Sequence, residues 1–362
     1  MKRDKIGVGM IGAGFGKSAQ IPGFKQCPDA EVIAICSSRL EKAEATAREF
    51  GIPRVFTDYR EMVQLADLDL VSVVTPPYLH YPMVMAALEA KKHVLCEKPM
   101  AMNIEEAAEM YSKAEERRVI HCVDHELRFN PTRIRMKELI DNGYLGRLRH
   151  VTVMVSSPFN ADPRGRPWGW WSQKDKGGGV LGATGSHYID LLRWWFGEIR
   201  AVCGQLSTFV RERKLADSEE MWPVETDDTC AFLLEFATGA QGTVVSSSVA
   251  YHPQGSRVEA FGDEGTLILD AQERLWGAKR GESQLTEFTV PDPVASLEGV
   301  AKNVWAMSFV HLARHLVEAI KVGTGIPQAA TFYDGMQCQQ VMDAVRQSWQ
   351  EQRWIEVEDI QP

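Results

Sequence analysis

The 362-residue chain has no excess of basic residues, no cysteine pair in CxxC spacing and no long apolar run. A net charge of −9 without a basic stretch withholds the electrostatic footprint that nucleic-acid binding requires, so no nucleic-acid partner is expected. Seven cysteines stand apart at positions 27, 36, 96, 122, 203, 230 and 338, which fits reduced thiols rather than a disulfide framework. No segment approaches the roughly 20 apolar residues of a membrane helix, so no membrane partner is expected. The apolar part of MKRDKIGVGMIGAGFG is punctuated by glycine and lacks a small-x-small cleavage pattern, which argues against a secretion signal. Internal repeats and low-complexity tracts are missing too. What remains is a soluble, cytoplasmic protein of ordinary composition, 44% apolar and 25% charged, long enough for two domains.

The first third alternates strand-like stretches at 6–11, 31–36, 70–74, 93–96 and 119–123 with helix-like stretches at 40–50, 82–90 and 103–117. That alternation predicts an α/β domain with a doubly wound parallel sheet and right-handed crossovers. From about residue 147 the texture changes to strands at 149–156, 201–209, 229–236, 241–248, 257–261 and 266–270, which predicts an α+β region with a large antiparallel open sheet. One helix is expected at 186–196 and two more near 304–321 and 333–349. The charged run 211–220 reads as a solvated loop.

Three stretches carry chemistry. The first strand runs into GAGFGK, residues 12–17, and then into a helix-like segment. Gly12 permits a tight turn and Gly14 lets the backbone approach a pyrophosphate at a helix N-terminus, with Phe15 and Gly16 completing the loop. Lys17 stands where a strict GxGxxG has its last glycine, but the strand–turn–helix context supports dinucleotide binding. The second strand ends in Ser37, Ser38 and Arg39, with no acidic residue to hold a ribose 2′-hydroxyl. A guanidinium meets a 2′-phosphate bidentately, so NADP(H) is favoured, with NAD(H) as the alternative. The strand at 70–74 ends in VVTPPYLH, whose prolines Pro76 and Pro77 stop pairing and send the chain across the cofactor cleft.

These stretches, with HVLCEKP (93–99) and GGGVLGATGSHYID (177–190), resemble the glucose–fructose oxidoreductase, inositol dehydrogenase and rhizopine catabolism (Gfo/Idh/MocA) family over nearly the whole chain. The resemblance implies an N-terminal Rossmann domain, residues 1–125. It also implies a substrate-binding and oligomerisation domain, residues 126–362, with a C-terminal helix packing back on the first. It implies an NAD(P)-dependent dehydrogenase or reductase acting on a secondary alcohol or carbonyl of a sugar, cyclitol or related small molecule, and a homo-oligomer, dimer or tetramer. Thr75, Pro76, Pro77, His80 and Glu97 then line the cofactor site. Lys98 faces the reacting carbon, where an ammonium stabilises an alkoxide. His187 takes the hydroxyl proton, work that suits an imidazole, and Asp190 orients that ring or caps its helix.

Ala183 departs from the family, which often has an aspartate four residues before this histidine. Glu126 is a substitute carboxylate, unless it simply pairs with Arg128. Trp168, Trp170 and Trp171 form a substrate wall or pack against another subunit. Two other readings stay open: use of a tightly bound cofactor for redox-assisted elimination or glycoside cleavage, and a non-catalytic dinucleotide sensor. HLARH (311–315) spaces two histidines one helical turn apart, but no third ligand is evident and no metal is expected.

Overall fold

A computed structural model describes residues 5–359 and 361 of the chain. The chain divides into two compact units. One comprises the chain up to Ala101, Glu105–Asn130 and Asp292–Met336; the other comprises Met102–Ile104, Pro131–Pro291 and the chain from Gln337 onward.

The strands of the first unit are β1 (Ile6–Ile11), β2 (Ala30–Cys36), β3 (Arg54–Phe56), β4 (Leu70–Val73), β5 (His93–Cys96) and β6 (His121–Val123). Helices α1 (Ile21–Lys25), α2 (Leu40–Phe50), α3 (Tyr59–Met62), α4 (His80–Glu89) and α5 (Ile104–Arg117) follow in turn. The strand interiors are continuous apolar runs, as strands covered on both faces require, and they pair in parallel in the order β3-β2-β1-β4-β5-β6. The sheet is the doubly wound one expected. β3, three residues of a strand too short to show a period, was not.

The second unit holds α6 (Pro131–Asp141), β7 (Leu148–Ser156), α7 (Ser186–Phe196) and β8 (Ile199–Ser207). After these come β9 (Glu212–Lys214), β10 (Met221–Pro223), β11 (Thr229–Phe236), β12 (Gln241–Ser247) and β13 (Ser256–Gly262). The strands β14 (Gly265–Leu269), β15 (Leu275–Lys279) and β16 (Thr286–Glu287) complete the run. Farther along the chain come α8 (Val304–Val322), which belongs to the first unit, α9 (Phe332–Glu351), which starts in the first unit and continues into the second, and β17 (Ile355–Glu356) of the second. The nine-stranded sheet runs β16-β15-β14-β13-β7-β12-β11-β8-β17, antiparallel except where β12 lies parallel to β7. Along β11 and β12 buried residues alternate with partly exposed ones, the mark of a sheet covered on one face.

Two expectations are corrected here. The run 211–220 is a solvated loop only in part: most of it is exposed, but Glu212–Lys214 form β9, which pairs with β10, and Arg213 is 5% exposed. Nor does a single cut near 125 divide the chain, since Asp292–Met336 belongs to the first unit. The cause is the apolar stripe of α8: Phe309 sets its ring edge-on to Phe24 at 5.4 Å, and Leu312, Leu316 and Val317 join the same core cluster. Gly23 lies so close to the Phe309 ring that no side chain fits there.

Candidate active site

In the first sheet β1 lies between β2 and β4, so the strand order reverses there. Open α/β sheets bind ligands in the crevice outside the carboxyl ends at such a reversal. The glycine turn starts there. Gly12 has φ +117° and donates its N–H to the Cys36 carbonyl at 2.9 Å. A side chain at Gly12 would run into the Val74 carbonyl, so only glycine brings the turn this close to β4. Gly14 is exposed with clear space in front of it, the cradle that a pyrophosphate needs and a side chain would fill. Phe15 is 46% exposed, while Gly16 is buried and opens a wide helical turn, Gly16–Gln20, that leads into α1.

At the end of β2, Ser37 Oγ accepts the Arg39 N–H at 3.3 Å, and Ser38 and Arg39 are exposed to solvent. Past β4, Thr75 and Pro76 are half-buried and Pro77 is buried. His80 corrects the sequence reading. It is fully buried, one ring nitrogen 3.0 Å from the Pro99 carbonyl and the other 2.8 Å from that of Thr75. Burial holds its pKa below the ordinary histidine range. Both nitrogens are spent on main chain, so His80 braces the two turns and has none to offer a cofactor.

Lys98 follows β5 and is half-buried; its bond to Pro99 is cis. Its N–H donates to Glu97 Oε2 at 3.1 Å. Beneath it lies a polar cluster that sequence reasoning missed. Gln20, fully buried, donates its amide to Glu97 Oε1 at 3.1 Å and to Asp124 Oδ2 at 2.7 Å. Its own oxygen accepts the Ser72 hydroxyl at 2.5 Å. Burial raises the pKa of Glu97 against the pull of Lys98. Asp124 is held well above the ordinary carboxylate range by burial and then by Glu126 and Glu97, so the cluster keeps a proton. Glu126 is itself buried, and Arg128 takes Asp334 as its ion-pair partner at 3.0 Å.

The candidates of the second unit sit on and before α7. His187 is its second residue, 2% exposed, and Asp190 lies one turn on with no exposure. The helix cap falls to Gly185, which leaves capping to no side chain, Asp190 included. Ala183 lies in the wide turn Leu181–Gly185 that leads into the helix. The preceding glycines lie close against their neighbours: a side chain at Gly178 would strike the Trp171 carbonyl, and one at Gly179 would strike the Asp227 carboxyl. Trp168 donates its indole N–H to the Pro223 carbonyl at 2.8 Å and meets Trp222, while Trp170 and Trp171 lie tilted on each other at 4.3 Å. Of the paired histidines, His311 bonds Asp292 at 2.9 Å and His315 packs on Phe129.

Among the described residues no helix is long and apolar enough to cross a membrane. Residues 6–125 match the model of an oxidoreductase family with an NAD-binding Rossmann fold, and residues 134–268 match that of the Gfo/Idh/MocA C-terminal domain. The chain is 31% identical to an uncharacterised oxidoreductase of Synechocystis, covering 99% of this chain and 98% of that one. It is 29% identical to levoglucosan dehydrogenase of Pseudarthrobacter phenanthrenivorans, covering 98% and 99%. A levoglucosan dehydrogenase structure, complexed with NADH and L-sorbose, superposes with a TM-score of 0.89 at 28% identity, over 98% of this chain and 99% of that one.

Proposed function

Because the chain belongs to the Gfo/Idh/MocA oxidoreductase family, we propose that it is an NADP(H)-preferring dehydrogenase of a sugar, cyclitol or related polyol. The observation that carries this reading is the convergence of Gly12–Gly16, Thr75–Pro77 and Glu97–Lys98 at one reversal of strand order. There a dinucleotide cradle and an ammonium occupy the same unit. The sugar-type substrate is drawn from the names of the relatives, levoglucosan dehydrogenase and myo-inositol 2-dehydrogenase among them.

Gly12, Gly14 and Gly16 hold the dinucleotide's phosphates, and Ser37, Ser38 and Arg39 its ribose. A dinucleotide held there would supply the hydride acceptor for oxidation of a carbinol and the hydride donor for the reverse reduction. Lys98 donates a hydrogen bond to the substrate oxygen and stabilises the negative charge that grows there. His187 accepts the hydroxyl proton, and in reduction gives it back. The proton held between Glu97 and Asp124 keeps that buried pair from presenting two full negative charges behind Lys98. Glu97 therefore steadies the Lys98 main chain without neutralising its ammonium.

NADP(H) follows from the lack of an acidic residue at the end of β2 and the exposed Arg39 beside two hydroxyls. The purified protein, given a panel of polyols and sugars with either cofactor, should form reduced nicotinamide with a higher kcat/KM for NADP. A clear NAD preference would overturn the role given to Ser37–Arg39. Failure on every substrate with both cofactors would overturn the dehydrogenase. A homo-oligomer, dimer or tetramer, is part of the same reading, supported by Met154 and Leu233, 44% and 47% exposed on the sheet. Sedimentation of a single 40.6 kDa species would contradict it.

A further inference from the structure

Gln20 is a polar side chain that no step proposed above uses, yet it is fully buried beside Ala19 and Ile21. It ends the wide helical turn Gly16–Gln20, which opens at the last glycine of the dinucleotide cradle. From there its amide spans three neighbouring strands: Ser72 lies in β4, Glu97 just past β5 and Asp124 just past β6. All of these residues belong to the first unit. Both N–H groups of the amide go to carboxyls, at 3.1 and 2.7 Å, and its oxygen takes the Ser72 hydroxyl at 2.5 Å. An amide oxygen donates nothing, so only this orientation serves two carboxyls.

Glu97 is the pivot. Its Oε1 takes the Gln20 amide while its Oε2 takes the Lys98 N–H at 3.1 Å, so one carboxyl is held from both sides. The side chains of Asp124 and Glu97 also bond each other, which two carboxyls do only across a proton. One negative charge is left on the pair, and the two amide hydrogens stabilise it where water is excluded. Without them the Glu97 side chain loses the donor that fixes Oε1, and the start of the Lys98 corner loses its brace.

We propose that Gln20 is a positioning residue for Lys98: acting through Glu97, it ties the corner after β5 to the helical turn of the dinucleotide cradle. Ammonium and cofactor then keep one fixed relation. This role rests on the dehydrogenase reading and adds to it a residue that touches neither substrate nor cofactor. An amide suits the task because it offers two donors and an acceptor at any pH. Displacing a reacting group by about 1 Å costs up to about a hundredfold in rate. The phosphates are held by the glycine turn itself, so binding of the dinucleotide does not share that loss.

Steady-state kinetics of the full-length protein test it, with NADP and the best substrate of the polyol and sugar panel. Gln20→Met keeps the length of the side chain and removes both donors. Its kcat should fall about tenfold to a hundredfold, while the KM and the calorimetric Kd for NADP stay within about twofold of wild type. Adding Asp124→Asn returns an amide donor to Glu97 and should recover most of the lost kcat. Gln20→His keeps one donor and should fall between the wild type and Gln20→Met. Wild-type kcat in Gln20→Met, a parallel loss of NADP affinity, or no recovery in the double variant overturns the proposal. So does a Gln20→His no faster than Gln20→Met. Lys98→Ala separates this role from the reading beneath it. Full turnover there removes both, whereas lost turnover there beside wild-type turnover in Gln20→Met removes the role of Gln20 alone.

Discussion

Replacing Gln20 with leucine probes the cluster under Lys98 more sharply than any surface change. The two side chains are similar in size, so packing is nearly kept while three buried hydrogen bonds vanish: two to carboxyls and one from Ser72. Each orphaned group in so dry a place costs about 1–3 kcal/mol. The carboxyl pair relaxes in part by sharing its proton more tightly, so the sum settles near ~3 kcal/mol rather than at the upper limit. Because the chain has two units, a single unfolding transition is a poor readout. Local opening read by hydrogen exchange is better. Amides of β4 and β5, including the Glu97 N–H bonded to Val73, should exchange about a hundredfold faster in Gln20→Leu. Adding Ser72→Ala should recover part of the loss, since the orphaned hydroxyl is gone, so the two effects should not add. Unchanged exchange, or strict additivity, would refute the idea that Gln20 holds this cluster together.

Other outcomes follow from the same geometry. Asp124 keeps its proton in the folded state well above the pH at which the unfolded chain releases it, so the wild type loses stability as pH rises above about 4. Asp124→Asn binds no proton in either state, and its stability relative to wild type should improve with pH by up to about 1.4 kcal/mol per unit. A pH-independent difference in the hydrogen exchange of the β4 and β5 amides would mean that Asp124 is ionised when folded. Gly12→Ala forces a side chain against the Val74 carbonyl at a φ that L-residues rarely adopt. Dinucleotide affinity by calorimetry should fall at least tenfold, and an unaffected Kd would remove this turn from the cofactor site.

Legibility in the sequence followed the range of the interaction. The glycine turn, the end of β2, the Thr-Pro-Pro turn and the Glu-Lys-Pro corner are each set by adjacent residues, so each can be read from its own short stretch of chain. Gln20 cannot. Its partners Glu97 and Asp124 lie 77 and 104 residues away, and its only local sign is an amide among apolar neighbours. His80 misleads for the same reason, because its bond to Pro99 closes across a whole βα unit. The run 211–220 looks solvated because charge usually means solvent; Arg213 is buried only because the carbonyls of Asn160 and Asp162 receive it. α8 reads correctly as a helix, but the core it enters is fixed by Phe24, nearly three hundred residues earlier in the chain.

The most direct measurement is the turnover of Lys98→Ala beside its affinity for the dinucleotide. Losing the group that stabilises charge on the reacting oxygen should lower kcat by about a hundredfold to a thousandfold, while the Kd for the cofactor stays within a few-fold of wild type. A variant that binds the cofactor normally and still turns over at the wild-type rate would contradict the assignment of that ammonium, and with it the chemistry proposed for this protein.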